Sequence, residues 1–260
     1  MSVISLRSQV AEMARRSILQ TVRQPAMLLP PILFPLTFVA INTGGLSAAT
    51  RIPGFPADTY LDFAIVVPFI QCGLFSMLNA GTALARDVET GFLRRLAMTP
   101  MQRAALLVGN LAGVMVVALL SACIYLIVGF AAGMDFKAGA GGVPALIALS
   151  LLISLGFAAL GALLGLRSGS GEAVQGTFPL FFVLLFLSSM SLPRPLIEQD
   201  WYRTIATYNP VSYLIEGMRS FIIYGWDGEA LALGFGFAAA IAVLSIVGAS
   251  HALSTRLVRT

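Results

Sequence analysis

The chain has 260 residues, 58% hydrophobic and 11% charged, with a formal net charge of +4. Soluble globular chains run at about 25% charged residues, and disorder needs low hydrophobicity with high charge, so both classes are excluded and lipid is left as the solvent. Scarce residues exclude more: the single lysine, Lys137, lies in Asp135-Phe136-Lys137-Ala138 and not in a Gly-Lys-Ser/Thr phosphate loop, and one histidine (His251) with two cysteines (Cys72, Cys123) cannot furnish a zinc cluster or a disulfide scaffold.

Residues 1–25 read as an amphipathic interfacial helix. Val3, Leu6, Val10, Met13, Ala14, Ile18 and Val22 recur at steps of three or four, with Arg7, Arg15, Arg16 and Arg23 on the remainder. Such a helix lies in the headgroup plane. Gln24-Pro25 ends it, because a residue before proline avoids the helical region. A bilayer core needs about 20 apolar residues per helix. Six runs meet that need: 26–46, 61–85, 104–132, 143–166, 174–192 and 230–252. In lipid every backbone polar group must be paired internally, so all six read as helices. Pro30, Pro31 and Pro35 kink the first, whose length marks it as a span and not as a cleavable leader. The whole chain therefore reads as one all-α membrane domain.

The 86–103 loop carries more than a connection needs. Acidic Asp87 and Glu89 precede Arg94 and Arg95, which suits a helix macrodipole, and Pro100 closes the stretch. Val88, Phe92 and Leu96 are spaced four apart on one helical face. That face fits either a docking knob for another protein or a second helix lying against lipid, and Phe92 and Leu96 would be the anchors of a dock. In the fifth run, Phe178, Phe181, Phe182 and Phe186 form a bulky stripe. It faces lipid, or it lines a path or a subunit interface. Gly109/Gly113, Gly129/Gly133 and Gly161/Gly165 are close-packing pairs.

The segment 193–229 reads as an outside re-entrant or interfacial element before the last span. Asn209-Pro210 starts a helix over 211–224, Gly225 stops it, and Glu216 and Arg219 are placed to pair at i, i+3. Lys/Arg counting puts eleven of the sixteen basic residues on the side of both termini, which makes that side cytoplasmic. The span centres hold no ionisable residue, Asp62 lying near an end, which disfavours an ion-coupled secondary transporter, the alternative reading. Ser168-Gly169-Ser170-Gly171 is a turn remote from His251 and does not make a hydrolase. No residue is assigned a catalytic or metal-binding role, and no nucleic-acid partner is expected.

In order and spacing, three patches resemble the membrane permease subunit of type-2 ABC exporters, closest in pattern to the daunorubicin-resistance permeases. Arg86-Asp87-Val88-Glu89-Thr90-Gly91-Phe92-Leu93-Arg94-Arg95-Leu96, followed by Thr99-Pro100 and Arg103, is similar to that family's R-(D/E)-x-E-x-G-x-x-(D/E)-R coupling stretch, with Arg94 standing where the family has an acid. Gly165-Leu166-Arg167-Ser168 with Glu172-Ala173-Val174-Gln175 looks like the loop entering the fifth span. Asn209-Pro210-Val211-Ser212-Tyr213, through Glu216 and Arg219, is similar to the family's N-P-x-(S/T)-x signature and following basic residue. The resemblance implies a multi-pass subunit of a bacterial cytoplasmic membrane, without an ATPase site of its own. Residues 87–97 would be a coupling helix docked on an ABC ATPase present in two copies, with ATP and Mg bound there and none in this chain. A second permease, identical or paralogous, would complete the assembly. The cargo would be an amphipathic drug, lipid or glycolipid drawn from the inner leaflet or cytoplasm, with the outside helices gating its release.

Overall fold

A computed structural model describes residues 6–22, 28–97 and 103–258. The chain folds into eleven α-helices among the described residues, with no strand among them. They are α1 (Leu6–Val22), α2 (Leu29–Gly45), α3 (Tyr60–Ala64), α4 (Val67–Glu89), α5 (Phe92–Ala97), α6 (Arg103–Ala131), α7 (Gly139–Ser168), α8 (Gly171–Phe186), α9 (Asp200–Tyr208), α10 (Pro210–Arg219) and α11 (Gly228–Val258). Among the described residues four helical stretches are long and apolar enough to cross a bilayer: Tyr60–Glu89, Ala105–Ala131, Gly139–Ser168 and Gly228–Arg256. The first and fifth predicted runs instead form shorter apolar helices, Leu29–Gly45 and Gly171–Phe186.

The centre of the bundle is α4, which is buried along most of its length. It lies beside α7 in parallel. A Cβ on Gly161 would overlap the Met77 carbonyl oxygen, and one on Gly165 would overlap that of Gly81. Small residues thus bring the two backbones into direct contact, the device that replaces hydrophobic drive between helices in lipid. Gly109 and Gly113 of α6 do the same for α1, meeting Met13 and Ser17. The apolar face of α1 is therefore partly spent on a protein neighbour. Of the third predicted pair, Gly129 meets no backbone but lies tightly against side chains, a Cβ there falling 3.2 Å from the Met134 sulfur and 3.3 Å from Ile65, and Gly133 serves a turn at φ +88°.

Pro35 lies inside α2 and has no N–H to give the carbonyl of Pro31. The buried Tyr125 hydroxyl of α6 donates to that carbonyl instead. The carbonyl that Pro35 leaves unpaired is thus met by a partner from another helix. Asp62 is equally structural. It is buried, and its two oxygens accept from the Asp135 backbone N–H at 2.9 Å and from the Thr59 hydroxyl at 2.7 Å.

The last third departs from a simple re-entrant helix. α10 is buried on nearly every face, with Val211, Leu214, Ile215 and Met218 all in the core. Gly217 meets Gly234 of α11 so closely that a Cβ on either would lie 2.9 Å from the other's Cα. α10 continues as a π-helical turn, Ser220–Tyr224, and stops at Gly225 with φ +87°. The wider turn offers the Phe221 and Ile222 carbonyls to the backbone N–H groups of Ala138 (2.9 Å) and Lys137 (3.2 Å).

Tyr125→Phe is expected to lower unfolding stability by about 1–3 kcal/mol, the cost of an unsatisfied buried acceptor. Adding Pro35→Ala restores an N–H for the Pro31 carbonyl and should recover part of that loss. Unfolding of the two single variants and the double variant in detergent measures the coupling, and additive losses would show that the hydroxyl does not serve the kink.

Candidate functional site

Two polar clusters sit at opposite ends of α4. The first is the corner after its last turn, where the predicted coupling residues fall. Arg86, Asp87, Val88 and Glu89 complete α4 rather than starting a separate helix. Thr90 caps it, Gly91 takes φ +66°, and α5 begins at Phe92. The expected continuous face of Val88, Phe92 and Leu96 is therefore broken, because the left-handed residue between the helices rotates everything after it. Leu93, not singled out as an anchor by its spacing, becomes the buried residue at 5% exposure, with Val88 and Phe92 partly buried beside it. The side chains of Arg94 and Leu96, and all of Thr99 and Pro100, lie outside the described residues.

The corner ties several helices together. Arg16 of α1 reaches Asp87 at 3.4 Å and lies over the Phe92 ring, 4.3 Å from its centroid. Glu89 accepts the Gly171 N–H at 2.9 Å, so a carboxylate meets the positive start of α8. Arg256 of α11 donates to the Leu166 and Arg167 carbonyls at 2.9 and 3.0 Å, closing the end of α7 before the left-handed Gly169. Arg86, Glu89, Thr90 and Arg95 remain exposed. Arg16 and Arg256 were invisible to local spacing, since each pairs with residues 71 and 90 positions away.

The second cluster holds the end of α8 against α9 and α10. Asn209 caps α10, its side-chain oxygen accepting the Val211 N–H at 2.9 Å, while its amide donates to the Leu184 carbonyl at 2.6 Å. Tyr213 stacks on Phe237 of α11 and lies under the Arg194 guanidinium. Glu216 does not pair with Arg219 as its spacing predicted. It takes a two-pronged pair from Arg194, whose Nε lies 2.7 Å from Oε1. Arg219 points inward instead, at 4% exposure, and donates to three carbonyls: Phe63 (3.0 Å), Ser189 (2.7 Å) and Met190 (2.6 Å). Its guanidinium also lies 3.4 Å from the centroid of the Phe63 ring. Burial pushes its pKa down to about 9, with Glu216, Tyr60 and Tyr224 pulling the other way. It is still a cation at neutral pH.

The phenylalanine stripe of α8 is inward and lateral. Phe181 meets Phe157 of α7, Phe178 meets Phe75 of α4, and Phe182 and Phe186 reach Phe34 and Phe38 of α2. The outward face of α8 is carried by Leu180 and Val183, with Phe186 half exposed.

The described residues form four bilayer-length apolar helices, two shorter apolar ones and a charged corner after the central helix, the pattern of a multi-pass membrane protein. The pattern of the ABC-2 type transporter family matches residues 8–223, and the chain belongs to that family. It is similar to the daunorubicin resistance ABC transporter permease protein DrrB1 of Streptomyces coeruleorubidus, at 28% identity over 85% of this chain and 79% of the relative. It is likewise similar to a transport permease, ycf38, of Porphyra purpurea, at 28% identity over 81% of this chain and 72% of the relative. The doxorubicin resistance ABC transporter permease protein DrrC of Mycobacterium tuberculosis shares 26% identity over 62% of this chain and 58% of its own.

Arg219→Lys keeps the charge but loses the fork that spans three carbonyls. It is expected to destabilise the chain by about 3 kcal/mol, within the range for breaking a buried ionic network. Thermal unfolding in detergent checks this, and an unchanged midpoint would show that the carbonyls find other donors.

Proposed function

We propose that the chain is the membrane-spanning half of an ATP-driven exporter, energised by a separate ATPase that binds ATP and Mg. The observation that carries this reading is the α4–α5 corner. Its exposed charges, Arg86, Glu89 and Arg95, stand beside a half-buried Phe92, while Asp87, Leu93 and Val88 root the same corner in α1, α7 and α11. A partner seated on α5 would thus push on the whole bundle. Two ATPase copies and a second permease, identical or paralogous, complete the proposed assembly.

In this reading α2 and α8 also cross the membrane, giving six spans with both termini cytoplasmic in a bacterial inner membrane. A helix of 16 residues such as α8 rises about 24 Å, short of a core of about 30 Å. Irregular backbone can make up the difference where it is buried in protein. The stretch after α8 meets that condition, because its carbonyls take donors from Asn209, Tyr202, Arg219 and Tyr60. The cargo is an amphipathic drug, lipid or glycolipid, moved outward past the α8–α10 cluster, where Asn209, Glu216 and Arg219 hold the exit.

Arg86→Glu with Arg95→Glu should reduce co-purification of the ATPase by about tenfold, as reversal of exposed interface charges does, with an unchanged unfolding midpoint. Leu93→Ala should instead cost about 2–5 kcal/mol of stability, as a core truncation. Transport into proteoliposomes that contain this permease and no ATPase would overturn the reading in favour of an ion-coupled carrier.

A further inference from the structure

Beside the α8–α10 cluster, and on the same end of the bundle, a cavity of about 600 Å³ opens between the α9–α10 segment, the 54–56 loop and the start of α11. That volume lies within the range of about 300–1,000 Å³ typical of small-molecule sites. Its ionisable lining is Arg194, Arg203, Arg219, Glu216 and Asp227, three guanidinium groups against two carboxylates. Both carboxylates are already engaged. Glu216 is held by Arg194, and Asp227 accepts the Glu229 and Ala230 N–H groups at 3.1 and 3.2 Å, which caps α11.

The cations are less fully used. Arg203 lies on the exposed rim and pairs with Asp200, one turn away on α9. Arg219 is buried in the wall. Among the described residues its hydrogen bonds go only to three neutral carbonyls, and no carboxylate makes an ion pair with it. A guanidinium has five N–H donors, so these three bonds leave two of them, on a residue that lines the cavity. An apolar wall is made by Pro56, Phe63, Pro193 and Pro195, with Thr207 and Tyr224 adding hydroxyls to the lining. Glu216 is the carboxylate whose charge reaches Arg219, and it is already paired with Arg194, so one carboxylate serves two guanidinium groups and the excess buried positive charge favours an anion over a cation or a neutral group.

We infer that this cavity is a binding site for the anionic group of an amphiphile, a phosphate or carboxylate, with the apolar part of the ligand against the proline-rich wall. Arg219 supplies the buried positive charge and Arg203 the entry charge. The inference rests on the exporter reading only for the side of the membrane on which the cavity opens. The same phosphate chemistry could come from a lipid headgroup or from a free anion, and the test separates the two.

The full chain in neutral detergent is titrated calorimetrically with dihexanoyl phosphatidylglycerol, dihexanoyl phosphatidylcholine and inorganic phosphate. Phosphatidylglycerol is expected to bind about tenfold more tightly than phosphatidylcholine, as charge complementarity at a partly desolvated site provides. Arg203→Glu should remove that preference and Arg203→Gln should reduce it, with unchanged unfolding midpoints. A lipid site binds phosphatidylglycerol more tightly than phosphate. A free-anion site binds the two equally, still with loss in Arg203→Glu. Equal binding of the two lipids with no phosphate binding, or a preference untouched by Arg203→Glu, would overturn the assignment. The titration uses neither ATP nor an ATPase, so its failure leaves the coupling reading standing, and failure of that reading leaves the site standing.

Discussion

A helix that ends among apolar neighbours leaves its last carbonyls without partners, and in lipid no water can supply them. The end of α8 is where this constraint bears hardest. Arg219 answers it by donating to Ser189 and Met190, while a third bond reaches Phe63 at the end of α3. Tyr202 serves Phe186 and Ser188, Asn209 serves Leu184, and Tyr60 serves Ser191. The segment from α9 to α10 is thus the donor set that lets α8 stop after 16 residues. This explains why α10 is enclosed by protein on nearly all sides rather than laid against lipid. A segment that must present Asn209 and Arg219 to buried carbonyls has to be inside.

The same accounting governs the rest of the bundle. Pro35 frees a carbonyl and Tyr125 meets it. The π-helical turn after α10 frees two more, and the α6–α7 turn meets them with Lys137 and Ala138. The end of α7 is met by Arg256. Where no donor is needed, glycines let backbones touch, as Gly161 and Gly165 do against α4. Charge is scarce in this chain, and Arg219 and Arg256 are spent on such closures.

Hydropathy runs and composition were enough to read the helical class and to place most helices within a few residues, because each depends only on its own stretch of chain. The caps were legible for the same reason: Asn209-Pro210 starts α10 and Gly169 ends α7 as their residue types dictate. Partners across the chain were not legible. Glu216 has Arg219 three residues away, yet Arg194, 22 positions upstream, holds it. The reason is energetic: burial of Arg219 among three carbonyls turns it away from the surface where Glu216 sits. The single helical face expected through residues 88–96 is interrupted for another reason. A period of four through Val88, Phe92 and Leu96 presumes an unbroken helix, and Gly91 at positive φ breaks it.

The two clusters are joined by elements held in different ways. The α4–α7 pair is in backbone contact where Gly161 and Gly165 meet Met77 and Gly81, so neither helix can slide there without driving a carbonyl into the other's backbone. α8 has only Val174 and Leu185 buried along its body. Its body rests on α2, α4 and α7 through phenylalanine side chains, and its polar attachments are at its ends, Glu89 on the first N–H and the donors of α9 and α10 on the last carbonyls. Close-packed backbone contacts resist small displacements, whereas charged and polar end contacts can exchange partners without opening a void. If the corner after α4 receives work from a partner, the rigid pair carries it and α8 is the helix that yields. Its phenylalanines lean on α2, α4 and α7 through side chains, so a shift there repacks those rings and changes the outward apolar face of α2 and α8.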